Sequence, residues 1–265
     1  MPILKKLSFR LSECLPVYFL KSLALFVFLR PLLSTLNFYK KGEYNMKKHL
    51  RYIFSGIIAA IGLLFIFSIP ITNFMITSFH PTVERQISYD VPYNWDSVKL
   101  VNFFNVMKAR IYHPEVHVIG AIYNEKIDLN TPIAQGVDNT IFTLCASTLY
   151  PNEEMGKGNY ILAAHNVQYS KVALFSPVYR YVHLGSIINI TNFNQNYTYK
   201  ITSKKVISPK NYSDLSPTRK ATLTLITCDR TNKKREVYVG KLVKTTRFSA
   251  LPQSTKNYLK RRFNY

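Results

Sequence analysis

The sequence predicts an all-β domain, closed or sandwiched, carried behind one membrane-spanning helix. Three observations point there. Residues 116–243 break into short apolar or alternating runs separated by turn residues, the spacing of a barrel or sandwich. Tyr and Phe number 19 and 17, and aromatic side chains favour strands. Residues 52–79 carry no charged side chain. With 265 residues, the chain is long enough for one substantial domain and an appendage.

The first element is the apolar segment. Tyr52 to Ile76 supplies the roughly 20 apolar residues a spanning helix needs. Lys47, Lys48 and Arg51 stand just before it, which places its amino side in the cytoplasm. No small-x-small cleavage site follows, so it reads as an uncleaved signal anchor with the rest of the chain outside. The alternative is a buried core helix, and the absence of a polar face speaks against it. An earlier apolar region, Leu15 to Tyr39, is interrupted by Lys21, Arg30 and Pro31. A second span there would conflict with the basic linker that follows, so it is not expected to cross.

Next, Leu100, Phe103, Phe104, Met107 and Ile111 recur at helical spacing, predicting an amphipathic helix over 96–111 that packs by that face. Beyond it the candidate strands are Val116–Tyr123, Lys126–Leu129, Ile141–Leu144, Asn159–Ala163, Ile187–Ile190, Tyr197–Ile207, Leu223–Thr227 and Glu236–Val243. The stretch after Ser249 is polar and basic, with Lys256, Lys260, Arg261 and Arg262, and reads as a solvated end.

Charge and cysteine usage narrow the chemistry. Thirty-five basic and 14 acidic residues give a net charge of +21, which suits a membrane surface or an anionic polymer. Basic residues are not interleaved with aromatics in a run, so no nucleic-acid partner is expected. Cys14, Cys145 and Cys228 are an odd set without a CxxC, which argues against a disulfide framework and a structural zinc site. Cys228 ends the run "TLTLITC" and precedes Asp229 and Arg230: a free thiol at the mouth of a strand, beside charge.

A thiol attacks as thiolate and needs a proton acceptor or a cation nearby. Of six histidines, His165 alone ends a strand, "NYILAAH", and opens a loop, as Cys228 does. Two strand ends on one side of a barrel bring such side chains together. The plain alternative for any single His is a structural one. Arg230 and Arg235 follow Cys228 by two and seven residues. A short hairpin would return Arg235 beside the thiol and leave Arg230 solvated at the tip, so Arg235 is the expected oxyanion partner.

These residues resemble the sortase family. "TLITC" at 224–228 matches the family's TLxTC signature around the nucleophile. "GNYILAAH" at 158–165 is similar to the segment leading to its histidine, and "LFSP" at 174–177 to a sequence of the class A, housekeeping group. The resemblance runs in consistent order over about residues 115–245. It implies an eight-stranded sortase-type β-barrel with short helices behind an N-terminal transmembrane helix. The expected division is a cytoplasmic segment over 1–51, an anchor over 52–76 and an extracellular stem over 77–114. A catalytic domain over 115–248 and a basic tail over 249–265 complete it. The implied activity is cysteine transpeptidation in the membrane of a Gram-positive cell. Cys228, His165 and Arg235 would be catalytic, and Thr227, Ile226 and Ala163 would line the groove. The implied partners are secreted proteins bearing an LPxTG-like sorting signal and an amine of lipid II or a peptidoglycan stem peptide.

The sequence departs from the family in its acidic residues. Some class A members hold calcium after the second strand and before the cysteine strand. The corresponding regions here offer Asp138 and Asp214 alone, whereas calcium takes about six to eight oxygen ligands. No cofactor, no metal and no calcium dependence are expected. Cys145 stands where the family has a small residue and reads as a buried side chain. No inhibitory lid motif precedes the first strand. An accessory or pilin-type sortase with another signal is the nearest alternative. A silent wall-binding relative would not need the trio, and an L,D-transpeptidase would place its His and Cys close together, not 63 residues apart (228 − 165).

"MKKHLRYIFSGIIAAIGLLFIF" from Met46 is by itself a complete signal anchor. Lys41, Gly42 and Glu43 upstream can be encoded with the purine run that bacterial ribosomes recognise. One expectation is therefore that translation starts at Met46 and that residues 1–45 are upstream DNA read as protein. The other is a genuine cytoplasmic or membrane-surface extension.

Overall fold

The computed structural model describes residues 46–84, 91–111, 116–209 and 215–265. The apolar region over 15–39 and the question of the start at Met46 lie outside the described residues, as does Asp214. The chain divides into two compact units, Met1–Ser68 and Ile69–Tyr265.

Helix α1 (Met46–Thr77) is apolar along most of its length, and within the 29 residues His49–Thr77 an 18-residue window has mean hydropathy 2.4. It is long and apolar enough to cross a membrane. From His49 to Phe65 nearly all side chains are exposed, with Ile57, Leu64 and Phe65 open to the surroundings. Within the second unit its last turns carry Ile76, fully buried among the barrel's core residues.

Eight strands close the barrel: β1 (Val118–Asn124), β2 (Leu129–Ala134), β3 (Ala146–Thr148), β4 (Asn159–Ala163), β5 (Ile187–Thr191), β6 (Gln195–Ile207), β7 (Thr222–Cys228) and β8 (Arg235–Arg247). The order around it is β1-β2-β3-β4-β7-β8-β6-β5, back to β1. Two pairs are parallel, β2 with β3 and β4 with β7; the rest are antiparallel. Ile122, Leu129, Ile133, Leu162, Ile188, Tyr199, Leu225 and Tyr238 fill the interior, each fully buried. Gly120 lies where β1 crowds β5: a Cβ there would collide with the Thr191 carbonyl oxygen, so only glycine fits. The expected eight-stranded barrel is therefore present, although two of the expected strands are not its strands.

Residues 141–144, expected as a strand, form the end of helix α3 (Asn139–Leu144). Asp138 decides this: its Oδ1 accepts the Ile141 amide at 2.6 Å as an N-cap, and a four-residue apolar run is neutral between helix and strand. Residues 126–129 are mostly a 3-10 turn (Glu125–Ile127), capped by Asn124 and ended by Asp128 in the left-handed region at φ 51°. β2 begins only at Leu129; its Asn130, Thr131 and Pro132 hid it from a pattern search, yet all six of its residues are buried.

Helix α2 (Phe103–Ile111) is shorter than the helix expected over 96–111 and packs by another face. Val106 and Ala109 are buried, whereas Leu100, Phe104 and Ile111 are each over 60% exposed. Helical spacing fixes a stripe, but not which stripe meets the protein.

The end of the chain is not solvated. Helix α5 (Gln253–Lys260) buries Thr255, Tyr258 and Leu259, and Phe263 follows it into the core. Tyr258 Oη donates to the Leu129 carbonyl at 2.9 Å. Arg262 is buried and donates to the carbonyls of Asn130 (2.8 Å) and Ile76 (2.9 Å). Asn264 exchanges main-chain hydrogen bonds with Pro81 and Val83. A basic composition concealed an apolar stripe one helix wide.

Candidate active site

The site is a consequence of the parallel pairing of β4 and β7. Parallel neighbours end on the same side, so the residues that follow each strand meet. Ala163 pairs with Ile226, and the Ala164 amide still donates to the Ile226 carbonyl at 3.1 Å. His165 then leaves β4 while Cys228 ends β7. β8 returns antiparallel after a six-residue loop, and its first residue, Arg235, stands directly opposite Cys228. The three side chains line one groove of about 670 Å³, together with Ala163, Ile226 and Thr227. Arg230 is exposed in the loop, as the hairpin argument requires.

His165 is 6% exposed. Its ring meets Phe142 of α3 edge-on, with centroids 4.6 Å apart, and its Nε2 has no hydrogen-bond partner among the described residues. Burial, with Arg235 adding to it, lowers its pKa to about 4, while a backbone hydrogen bond to Lys99 acts the other way. The Cys228 thiol is half-buried, and burial raises its pKa; Arg235 lowers it and Asp229 raises it, so the net is upward. Between these shifts the resting pair is thiol and neutral imidazole. Charge separation into thiolate and imidazolium then has to be favoured by whatever enters the groove.

The loop after β4 is held by the LFSP segment. Helix α4 (Ser176–Tyr181) starts there with Pro177 in its first turn. The Phe175 amide donates to the His165 carbonyl at 3.1 Å, and Ser176 Oγ accepts from the Val167 amide at 2.9 Å. Thr227 lines the groove, but its hydroxyl donates to the Ala164 carbonyl at 2.9 Å, tying the two strand ends together. The β7–β8 loop is folded around Asp229, whose carboxylate accepts from Thr231 Oγ1 (2.7 Å) and the Lys234 amide (3.1 Å).

Two features of the site escaped the sequence. Phe142 sat in the run taken for a strand. Trp95, Val98, Lys99 and Leu100 come from the stem and line the groove, although no lid motif precedes the first strand. The Lys99 amide donates to Asn139 Oδ1 at 2.9 Å, and Trp95 meets Phe142 edge-on at 5.7 Å. The paired aromatics at 95 and 142 were the available signal, visible only once α3 is known. Cys145 is fully buried, as a small core side chain. Among the described residues no group of three or more His, Cys, Asp or Glu is placed to hold a metal ion, and Asp138 is engaged as a helix cap.

A barrel that brings one cysteine, one histidine and one arginine to a groove at its rim defines a cysteine-dependent acyl-transfer fold, and the comparisons agree. Residues 122–243 match the family model described as the sortase domain. Sortase A of Listeria monocytogenes is 33% identical over 205 residues, covering 73% of this chain and 91% of that protein. Sortase A of Streptococcus agalactiae is 29% identical over 241 residues, covering 85% of this chain and 97% of that protein. The solved structure of the Listeria monocytogenes sortase A, 34% identical, covers 54% of this chain and 97% of its own with a TM-score of 0.49. The chain belongs to the sortase family, and is a sortase-type cysteine transpeptidase.

Proposed function

We propose that this protein is a membrane-anchored, housekeeping-type sortase that cleaves an LPxTG-like sorting signal between Thr and Gly. The observation that carries the reading is the register: parallel β4 and β7 deliver His165 and Cys228 to one groove, with Arg235 opposite the thiol. The Cys228 proton passes to His165 as the sulfur attacks the Thr carbonyl carbon. Arg235 stabilises the oxyanion that forms. Collapse breaks the Thr–Gly bond; His165 gives its proton to the leaving Gly amine, and a thioester remains on Cys228. An incoming amine, from lipid II or a peptidoglycan stem peptide, loses a proton to His165, attacks the thioester and restores the thiol. Ala163 and Ile226 form apolar wall for the signal, and Thr227 holds that wall in place.

α1 serves as the single-pass anchor, with the barrel on the extracellular side, because Lys47, Lys48 and Arg51 precede it. No nucleic-acid partner is invoked. The test is incubation of the full chain in detergent with a panel of signal peptides, followed by mass spectrometry. Cleavage after Thr of LPxTG peptides, with hydroxylamine trapping the acyl group, is expected. Cleavage of another signal in preference would favour the accessory or pilin-type reading, and equal cleavage by Cys228→Ala would overturn the mechanism.

A further inference from the structure

Two side-chain amides cross from the histidine side of the site to the cysteine side. Asn166 Nδ2 donates to the Cys228 carbonyl at 3.2 Å. Two residues on, Gln168 Nε2 donates to the Arg230 carbonyl at 2.5 Å. Alternate residues of one loop thus take alternate carbonyls of the other, continuing with side chains the β4–β7 pairing that the main chain ends at Ala164. The donor segment is itself anchored. The Val167 amide donates to Ser176 Oγ, and Arg180 of α4 donates from Nη2 to the Gln168 carbonyl at 2.5 Å and from Nε to the Ser170 carbonyl at 3.2 Å.

On the receiving side, the β7–β8 loop is organised around Asp229, with Asn232 in the left-handed region at φ 59°. Its own hydrogen bonds hold it together, and the two amides join it to the segment that carries His165. Asn166 is 7% exposed, and its Oδ1 has no hydrogen-bond partner among the described residues. Leaving a buried acceptor unpaired costs about 1–3 kcal/mol, so a residue there for packing alone would be apolar. A local rule broken beside a reacting group points to a functional constraint.

We propose that Asn166 and Gln168 are positioning residues: a carboxamide clamp that fixes the Cys228 main chain, and the loop leading to Arg235, against His165. The inference deepens the reading given under Proposed function and rests on it. The clamp touches no substrate; it acts through the thiol it places. Transfer between Cys228 and His165 is steep in distance, and a misplacement of about 1 Å can remove about 10²-fold in rate.

The test uses the full chain in detergent, as Asn166→Ala, Gln168→Ala and the double variant. With an LPxTG peptide, kcat is expected to fall about 10–100-fold in Asn166→Ala and less in the exposed Gln168→Ala, with KM nearly unchanged. Because both donors hold one loop, the double variant should lose less than the product of the single losses. Alkylation of Cys228 by iodoacetamide at neutral pH should become faster in the same variants, since release of the loop uncovers a thiol whose pKa burial raises. General destabilisation of the fold would also expose Cys145, which is fully buried, so the pairing of slower turnover with a more reactive thiol counts for the clamp only where Cys145 stays unmodified while Cys228 reacts faster. Should Asn166→Ala fail to fold, Gln168→Glu, which keeps length and replaces the donor with an acceptor, must show the same pairing. Parent kcat in all variants, a loss confined to KM, or alkylation unchanged from the parent would each overturn the clamp. The alkylation arm needs no sorting peptide, so it decides the clamp even if Cys228→Ala cleaves as the parent does and the transpeptidase reading fails.

Discussion

Among the described residues, cysteine is paired with arginine twice. At the rim of the barrel, Cys228 faces Arg235 across two antiparallel strand ends. In the interior, Cys145 lies near enough to Arg262 for each to shift the other's titration. The residue types are the same and the outcomes are opposite. Cys145 is fully buried, and burial pushes its thiol far above the ordinary range despite the cation. Arg262, equally buried, is lowered to about 10, and its guanidinium is engaged by the carbonyls of Asn130 and Ile76, with Nε left unpaired. That arginine ties the end of the chain to β2 and to the last turn of α1. Arg235, by contrast, is half-exposed and among the described residues donates to carbonyls of its own loop, Asn232 and Lys234. A cation beside a thiol supports chemistry only where a reacting group can enter and where the cation is not already committed.

The largest expected effect tests this contrast directly. Cys228→Ala should abolish peptide cleavage while the barrel stays folded; Cys145→Ala should cleave as the parent does and lose about 1–2 kcal/mol of stability. Loss of activity in Cys145→Ala without loss of fold would break the comparison.

The arginines should divide the same way. Arg235→Ala should lose about 10²–10³-fold in kcat, with a melting temperature close to the parent's. Arg262→Ala removes the hydrogen bonds to the Asn130 and Ile76 carbonyls and should melt about 5–15 °C lower, while the fraction still folded cleaves normally. His165→Ala belongs with the first group, at about 10²–10⁴-fold.

A smaller effect is the dependence of stability on pH. His165 titrates at about 4 when folded against 6.5 for the ordinary group, so its contribution is complete above pH 6.5 and is lost as pH falls toward 4. The amount is about 3 kcal/mol, from about 1.4 kcal/mol per pH unit. Glu153 acts in the opposite sense: burial raises it from 4.5 to about 7, so its contribution is complete below pH 4.5 and is lost as pH rises to 7. Denaturation midpoints of His165→Gln and Glu153→Gln across pH 4–8 should therefore depart from the parent in opposite directions. Matching curves would remove the physical basis for a neutral, buried His165. The smallest expected effect is none: chelation or added calcium should leave the cleavage rate unchanged, and several-fold stimulation would show that acidic groups assemble a site after all.

Strands β4 to β8 could be read from alternation, and Cys228, His165 and Arg235 from their positions at strand ends. Local chemistry carried that much: β-branched and apolar residues alternate with period two, and a hairpin of known length fixes which arginine returns to the thiol. The errors lie where local preference is weak. The run at 141–144 is a helix because one carboxylate, Asp138, caps it. β2 is a strand despite Pro132 because its neighbours bury it on both faces.

The sequence by itself determined the all-β class, the apolar segment that became α1 and the identity of the three groove residues, because each depends on spacing along the chain, while the closed eight-stranded barrel was implied by the resemblance to the sortase family. Tertiary structure decided the rest. It chose the buried face of α2, folded the basic end around Arg262, and set Phe142, Trp95 and Lys99 around His165. It also joined Asn166 to Cys228, 62 residues apart. These contacts form between segments distant in sequence, and no periodicity records which of several compatible surfaces will meet once the β4–β7 pairing closes the barrel.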